Sequence, residues 1–226
     1  MYKNNLFAVD ETTIPGLIAA NYDRLLAGFL TTIELALVSF LFALAIGAVL
    51  GTISSGNNKI INAVVSAYVG LIRGVPLMVL VFFIYYGIPG VIGEPLDDFF
   101  AGCLALTLNC SAYLTVIVRS GIHAVPKTQL EASHALGLSY TSLMWRIILP
   151  QAVKIMMPNF INQFVISLKD TTILSIIGVL DLMQVGKIII ARNMQSFNVY
   201  IIIGIMYLVV ILALTKLASL LQKRLK

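Results

Sequence analysis

Long apolar runs separated by short polar segments dominate this chain. Five of the runs reach the length of about 20 residues that crosses roughly 30 Å of hydrocarbon. They predict five spans, at Phe29–Ile53, Val75–Ile92, Phe99–Val118, Ile155–Leu180 and Val199–Leu221. Because backbone groups in lipid need internal hydrogen bonds, runs of this length favour helices over open strands. The pattern therefore predicts an all-α membrane protein with five transmembrane helices.

Composition supports the same class. Of 226 residues, 59% are hydrophobic and 11% are charged, and the mean hydropathy of +0.97 excludes a soluble domain. The first 28 residues lack a basic segment followed by an apolar core, so the first span is expected to act as an uncleaved insertion signal. No repeat or linker divides the sequence, which predicts a single transmembrane domain over residues 1–226.

Basic residues are distributed unevenly between the polar segments. If the loop between the third and fourth predicted spans is cytoplasmic, that side holds Lys59, Arg73, Arg119, Lys127, Arg146, Lys154, Lys216, Lys223, Arg224 and Lys226. The opposite side holds Lys3, Arg24, Lys187 and Arg192, together with Asp10, Glu11, Asp23, Glu94, Asp97, Asp98 and Asp181. The excess of cytoplasmic cations predicts an outside N-terminus and a cytoplasmic C-terminus. The net charge of +5 then reflects topology, and the dispersed charges predict no nucleic-acid site.

Motifs for catalysis or for metals are missing from the sequence. Gly186-Lys187 lacks the spacing and the following hydroxyl of a phosphate-binding loop, and HExxH does not occur. Cys103 and Cys110 are seven residues apart, roughly 10 Å on one helix, which is too far for a disulfide. The sequence therefore predicts a transport or scaffold subunit without its own enzymatic site, metal or cofactor.

The segment from Glu131 to Pro150 combines several helix-boundary signals in a largely uncharged stretch. Thr128 and Glu131 have the spacing of a capping box, and Gly137 suits a helix end with positive φ. Ser139 is placed to cap a second short helix, and Pro150 to lie in the first turn of the next. The pattern predicts two short helices on one membrane face. Its expected apolar face comprises Leu136, Leu138, Leu143 and Trp145.

Polar side chains inside the predicted spans form a second group of candidates. A charge near the bilayer midplane costs at least ~2.5 kcal/mol, so it normally faces protein or water. Lys169 and Asp170 are the clearest case, as gating or subunit-interface residues. The candidates for a substrate path are Asn162, Gln163 and Ser167 on the fourth span, with Asn109 and Tyr113 on the third. Hydrogen bonding between helices is the alternative role for these polar side chains.

The same segments carry a family resemblance. EASHALGLSYTSLMWRIILP is similar to the EAA loop, EAA-x3-G-x9-I-x-LP, with Ser133 in place of the second Ala. RGVPL, LPQA and LKDT resemble further motifs, while Val116 replaces the usual acid of AYxxExxRxG. In order and spacing, the chain resembles the membrane permease subunits of polar amino-acid ABC importers from about Gly28 onwards.

The resemblance implies a type I ABC importer permease fold in a bacterial inner membrane. It implies a second permease subunit, in a homo- or heterodimer, and an extracytoplasmic solute-binding protein that delivers the amino acid. It also implies a cytoplasmic ATPase dimer, which binds ATP and Mg and docks on the coupling loop at about 120–150. The coupling residues would be Glu131, Ala132, Ser133, Gly137 and Leu138, and the gating or dimer-interface residues Arg73, Lys169, Asp170 and Thr171.

The substrate and one alternative class remain open at this point. The absence of an acid at Val116 and beside Gln163 favours a polar or neutral amino acid, such as glutamine or cystine. The alternative is an autonomous ion-coupled secondary transporter or channel that uses Lys169 and Asp170 as its switch. Five spans without an inverted repeat favour a half-transporter instead.

Overall fold

The computed structural model describes residues 12–225, except for the side chains at positions 127, 130, 134, 140 and 221–225. Lys3, Asp10, Glu11 and Lys226, which enter the charge distribution, lie outside the described residues. All regular structure in the described range is helical. The α-helices are α1 Ile14–Ile53, α2 Lys59–Gly74, α3 Leu77–Phe82, α4 Ile88–Ile92, α5 Asp98–His123, α6 Lys127–Ala135, α7 Tyr140–Leu143, α8 Leu149–Asp170, α9 Leu182–Asn193 and α10 Ser196–Leu225. Single π-helical turns join α3 to α4 (Phe83–Gly87) and α7 to α8 (Met144–Ile148), and a 3₁₀ segment, Thr171–Ile176, follows α8.

Helix α1 is longer than one membrane crossing requires. Its 40 residues would extend about 60 Å if straight, twice the thickness of the hydrocarbon core. Asn21 leaves the helical backbone region, and its side-chain amide donates to the carbonyl of Leu17 at 3.1 Å. The resulting kink separates the N-terminal segment of α1 from the predicted first span.

Close packing between α1 and α5 forms the centre of the fold. Gly47 and Gly51 allow this approach: a Cβ on Gly51 would lie 2.5 Å from Cβ of Val118, and one on Gly47 would lie 2.6 Å from Cβ of Leu114. Thr107 on α5 also donates to the carbonyl of Ser39 on α1, at 3.4 Å. Small residues at such crossings are the usual means of bringing membrane helices together.

The second predicted span, Val75–Ile92, begins at a sharp break between two helical segments. The apolar run before Arg73 forms a helix of its own, α2, which is bent by 99° relative to the following helical segment Leu77–Ile92. Pro76 causes the break, because it lacks an N–H and holds the preceding Val75 in an extended conformation (φ −101°, ψ 133°). The break places Arg73 against Tyr113, which lies inside the predicted third span, and not on the cytoplasmic side to which the charge distribution assigned it.

Three helices in the described residues are individually long and apolar enough to cross a membrane: α1, α5 and α10. The bent pair adds a fourth if its two parts form one span. The fourth predicted span, Ile155–Leu180, corresponds to two elements of the structure. These are the 22-residue helix α8, which begins earlier, at Leu149, and the 3₁₀ segment that follows it. Within that segment the hydroxyl of Thr171 donates back to the carbonyl of Leu168 at 2.9 Å. The all-helical prediction is confirmed, while the count of five and the orientation of the termini stay predictions.

Helix α9 connects the ends of α1, α8 and α10. Its residues Leu182 and Ile189 are buried against Leu17 and Leu25 of α1 and Val199 of α10. The helix therefore joins the core of the molecule at one end.

Candidate functional site

The predicted coupling loop forms a bent pair of short helices. Gly137 follows α6 with φ +70°, as expected for a residue that turns the chain out of a helix. Ser139 caps α7, because its hydroxyl accepts from Ser142 N at 3.4 Å and its carbonyl accepts from Leu143 N at 2.9 Å. Pro150 lies in the first turn of α8, also as predicted.

The start of α6 differs from the predicted capping box. The helix already begins at Lys127, so Thr128 lies inside its first turn. Gln129 N donates to the carbonyl of Pro126 at 3.0 Å, and the rigid φ of that proline favours an earlier helix start. Ser133, the residue that departs from the EAA pattern, is buried and donates to the carbonyl of Gln129 at 2.6 Å.

The loop is anchored on one side and exposed on the other. Leu143 and Met144 are buried with Val125, Ile148 and Ala152, which ties the loop to the ends of α5 and α8. Two other large apolar side chains of the loop point outward, with Leu136 78% exposed and Trp145 70% exposed. Glu131 and Ala132 are also exposed, and Leu138 is half-buried. Exposed apolar groups beside an acid on a firmly attached element are typical of a docking surface for another protein.

A second feature lies at the break between α2 and α3. A cleft of about 440 Å³ is lined by Arg73, Asn109, Tyr113 and Asp170, together with residues 74–77 of the broken segment and Ile166. The Arg73 guanidinium carbon lies 4.6 Å from the centroid of the Tyr113 ring. The tertiary structure thus brings together four of the candidate residues, from three separate parts of the sequence.

The cleft offers groups that suit a small zwitterion. Arg73 supplies a cation, Asp170 a carboxylate, Asn109 an amide and Tyr113 a phenol. A guanidinium recognises carboxylates, and a carboxylate recognises ammonium groups, through charge-assisted hydrogen bonds. The set is chemically suited to an α-amino acid.

The remaining candidates lie elsewhere. Asn162 and Gln163 are neighbours on α8, so their side chains point about 100° apart. Asn162 is exposed in a groove beside α10, whereas Gln163 is buried near the thiol of Cys110, as is Ser167. The structure also places Lys169 at the surface and Thr171 in the interior. The roles of these residues stay predictions.

Sequence reasoning missed a buried polar junction at the start of α9. Asp181 is fully buried, and its carboxylate caps α9 by accepting from Gln184 N at 2.8 Å. Burial raises the pKa of Asp181 to about 6, with a partial opposing effect from hydrogen bonds to backbone N–H groups and from Lys187. Leu182 N donates to the hydroxyl of Thr32 at 3.1 Å, which ties the same junction to α1. An aspartate directly before a helix start was the one available sequence signal.

Comparison with known proteins decides the family. The family model described as "Binding-protein-dependent transport system inner membrane component" matches residues 43–226. The chain belongs to this family. It is a multi-pass membrane subunit for transport, and membership favours a part in an ABC-type importer over the autonomous ion-coupled alternative.

Relatives in the permease family cover nearly the whole chain. The chain is 34% identical to the probable glutamine ABC transporter permease protein GlnM of Bacillus subtilis (strain 168), over 91% of this chain and 95% of that protein. It is 32% identical to the arginine transport system permease protein ArtQ of the same organism, over 89% and 92%. It is 34% identical to the L-cystine transport system permease protein TcyL, also of that organism, over 86% and 84%.

Solved structures agree with this family assignment. The structure of an amino acid ABC transporter with histidines superposes with a TM-score of 0.86 at 34% identity, covering 92% of this chain and 97% of that one. The MetNI methionine ABC transporter, in an inward-facing conformation, gives a TM-score of 0.81 at 17% identity, covering 92% and 98%. The second likeness shows the shared fold alone.

Proposed function

We propose that this chain is the transmembrane subunit of an ATP-driven importer for polar amino acids, with five spans, an outside N-terminus and a cytoplasmic C-terminus. The observation that carries the proposal is the cleft at the break between α2 and α3, because it combines a cation, a carboxylate, an amide and a phenol. The relatives named for glutamine, arginine and cystine transport support this substrate class.

Coupling to ATP hydrolysis is proposed for the loop that contains α6 and α7. A partner ATPase dimer, which binds ATP and Mg, would contact the exposed Glu131, Ala132, Leu136 and Trp145. Leu143 and Met144 join the loop to α5 and α8, so a displacement of the loop would move both helices as one body. Ser133 and Gly137 maintain the shape of the loop, and Leu138 lies at the edge of its exposed face.

Substrate passage is proposed along α8 and its neighbours in a dimer of permease subunits. Asn109, Tyr113, Arg73 and Asp170 contact the amino acid in the cleft, and Asn162 extends a polar surface along α8. Gln163 and Ser167 support this surface from the buried side of α8. Lys169 and Thr171 act at the end of α8, in gating or at the subunit interface. A neutral side chain at Val116 favours glutamine or a similar uncharged amino acid.

Reconstitution tests the proposal. The chain is placed in lipid vesicles with its ATPase and second permease subunit, and uptake of labelled L-glutamine, L-cystine and L-arginine is measured with the solute-binding protein outside. Asn109→Ala and Asp170→Asn should raise the half-saturating amino-acid concentration for stimulated ATP hydrolysis by about tenfold, since each removes a hydrogen bond to a charged group. Asn57→Ala, in the exposed turn between α1 and α2, should leave this concentration unchanged.

Two outcomes would contradict the proposal. Uptake driven by an ion gradient in vesicles that hold the chain without an ATPase would establish the autonomous alternative. Unaltered substrate dependence in both cleft variants would move the substrate path away from the α2–α3 break.

A further inference from the structure

A polar cleft lies at the opposite end of the molecule from the coupling loop. It has a volume of about 490 Å³ and lies between the kinked start of α1 and the end of α9. Arg24 from α1 and Arg192 from α9 both line it, and both are exposed. Asp23 lines it as well, so the two guanidinium groups leave a net positive charge.

The convergence of these arginines is informative because cations are scarce on this side. In the proposed topology, the extracytoplasmic basic residues are Lys3, Arg24, Lys187 and Arg192. Lys187 is half-buried, and its ammonium group donates to the hydroxyl of Ser175 at 2.8 Å. Arg24 and Arg192 are therefore the two described extracytoplasmic cations that face the exterior, and the fold places them in one cleft.

The surroundings of the cleft favour an aqueous occupant. Arg24 lies five residues before the predicted start of the first span, about 8 Å further out along a helix. On another side of α1, a separate groove of about 210 Å³ is lined by apolar residues of α1 and α10, including Ile18, Leu26 and Ile205. Lipid chains suit that apolar groove, whereas the arginine cleft suits a charged group from solution.

We propose that the Arg24–Arg192 cleft is a docking site for an acidic side chain of the extracytoplasmic solute-binding protein. The inference rests on the proposed function and topology. Paired guanidinium groups at a cleft form charge-assisted hydrogen bonds to a carboxylate, and opposite charges steer encounter between proteins. Docking here engages α1 and α9 together, and the hydrogen bond from Lys187 to Ser175 links α9 to the 3₁₀ segment that follows α8.

The test uses the complete transporter in nanodiscs of zwitterionic lipid, titrated with its solute-binding protein loaded with L-glutamine. The double variant Arg24→Gln/Arg192→Gln should raise the half-saturating binding-protein concentration for ATP hydrolysis by roughly 3- to 25-fold, since one exposed ion pair changes an affinity by up to about fivefold. The maximal rate at saturating binding protein should not change. Poly-L-glutamate should compete with the binding protein in the wild type and lose this effect in the variant.

Matched controls separate local charge from general charge. Lys59→Gln/Lys154→Gln removes two exposed cations from the proposed cytoplasmic side and should leave the half-saturating concentration unchanged. Arg24→Lys/Arg192→Lys keeps both charges and should retain most of the affinity.

Three results would overturn the inference. An unchanged half-saturating concentration in the glutamine double variant removes the cleft from docking. A shift that occurs only when anionic lipid is present assigns the arginines to lipid phosphate. Absence of binding-protein stimulation in the wild-type complex overturns the proposed function itself, and this inference with it.

Discussion

The guanidinium group of Arg73 lies over the ring of Tyr113, with its central carbon 4.6 Å from the ring centroid. The contact joins the broken α2–α3 corner to α5, and both residues line a cleft that Asn109 and Asp170 also line. A cation above an aromatic face fixes the position of the guanidinium while leaving its N–H groups available for a ligand.

Replacing Tyr113 tests this contact. Tyr113→Leu should raise the half-saturating L-glutamine concentration for transport by about 3- to 10-fold, because a cation–π contact contributes about 0.5–2 kcal/mol. Tyr113→Phe keeps the ring and removes only the hydroxyl, so it should lose less than the leucine variant. Equal losses in both variants would instead assign the effect to the phenol hydroxyl.

Charge reversal at Glu131 tests the coupling loop. Glu131→Lys should lower ATP hydrolysis stimulated by the binding protein at least about tenfold, because like charges at a protein interface cost several kcal/mol. Insertion and folding should be retained, since Glu131 is exposed. Glu94→Lys, an equal charge change in the exposed loop after α4, is the control. Normal uptake by the Glu131 variant would exclude this residue from coupling.

The packing of α1 against α5 predicts unequal effects of two glycine substitutions. Gly51→Ala should destabilise the purified protein by about 1–3 kcal/mol, because the added Cβ would overlap Val118 in a close helix crossing. Gly70→Ala lies in α2, where nothing is within 4 Å of the new Cβ, and should be neutral or slightly stabilising. Thermal unfolding in detergent measures both variants. A lower unfolding temperature for the Gly70 variant alone would contradict this account of the crossing.

Asp181 predicts a dependence of stability on pH. Burial raises its pKa from 3.8 to about 6 in the folded protein, so the folded state binds more protons than the unfolded state between these values. Stability should therefore fall as pH rises from about 4 to 6, by up to ~3 kcal/mol. Above the folded pKa the penalty is fully present.

The control for this prediction is Asp181→Asn, which keeps an acceptor for the cap of α9 and removes the titrating group. The variant should unfold at a higher temperature than the wild type at pH 7, and the difference should vanish near pH 4. If the unfolding temperatures of the wild type and the variant differ by the same amount at every pH, a group other than Asp181 causes the pH dependence of stability.

Local features of the coupling loop follow from the sequence because they depend on backbone preferences. Gly137 adopts positive φ and Ser139 caps α7, as the pattern predicts. The predicted cap at Thr128 was wrong, since Pro126 starts the helix earlier. Helix boundaries depend on competing local signals, and a sequence pattern does not decide between adjacent ones.

The amino-acid sequence by itself determined that the chain is helical and membrane-embedded, because apolar runs of this length have few other stable forms. Only the tertiary structure decided which polar residues meet. Arg73, Asn109 and Asp170 are far apart along the chain and share a cleft because Pro76 bends one span and both that span and α8 pack against α5. Such convergence depends on how helices cross, and helix crossings are fixed by packing over the whole molecule.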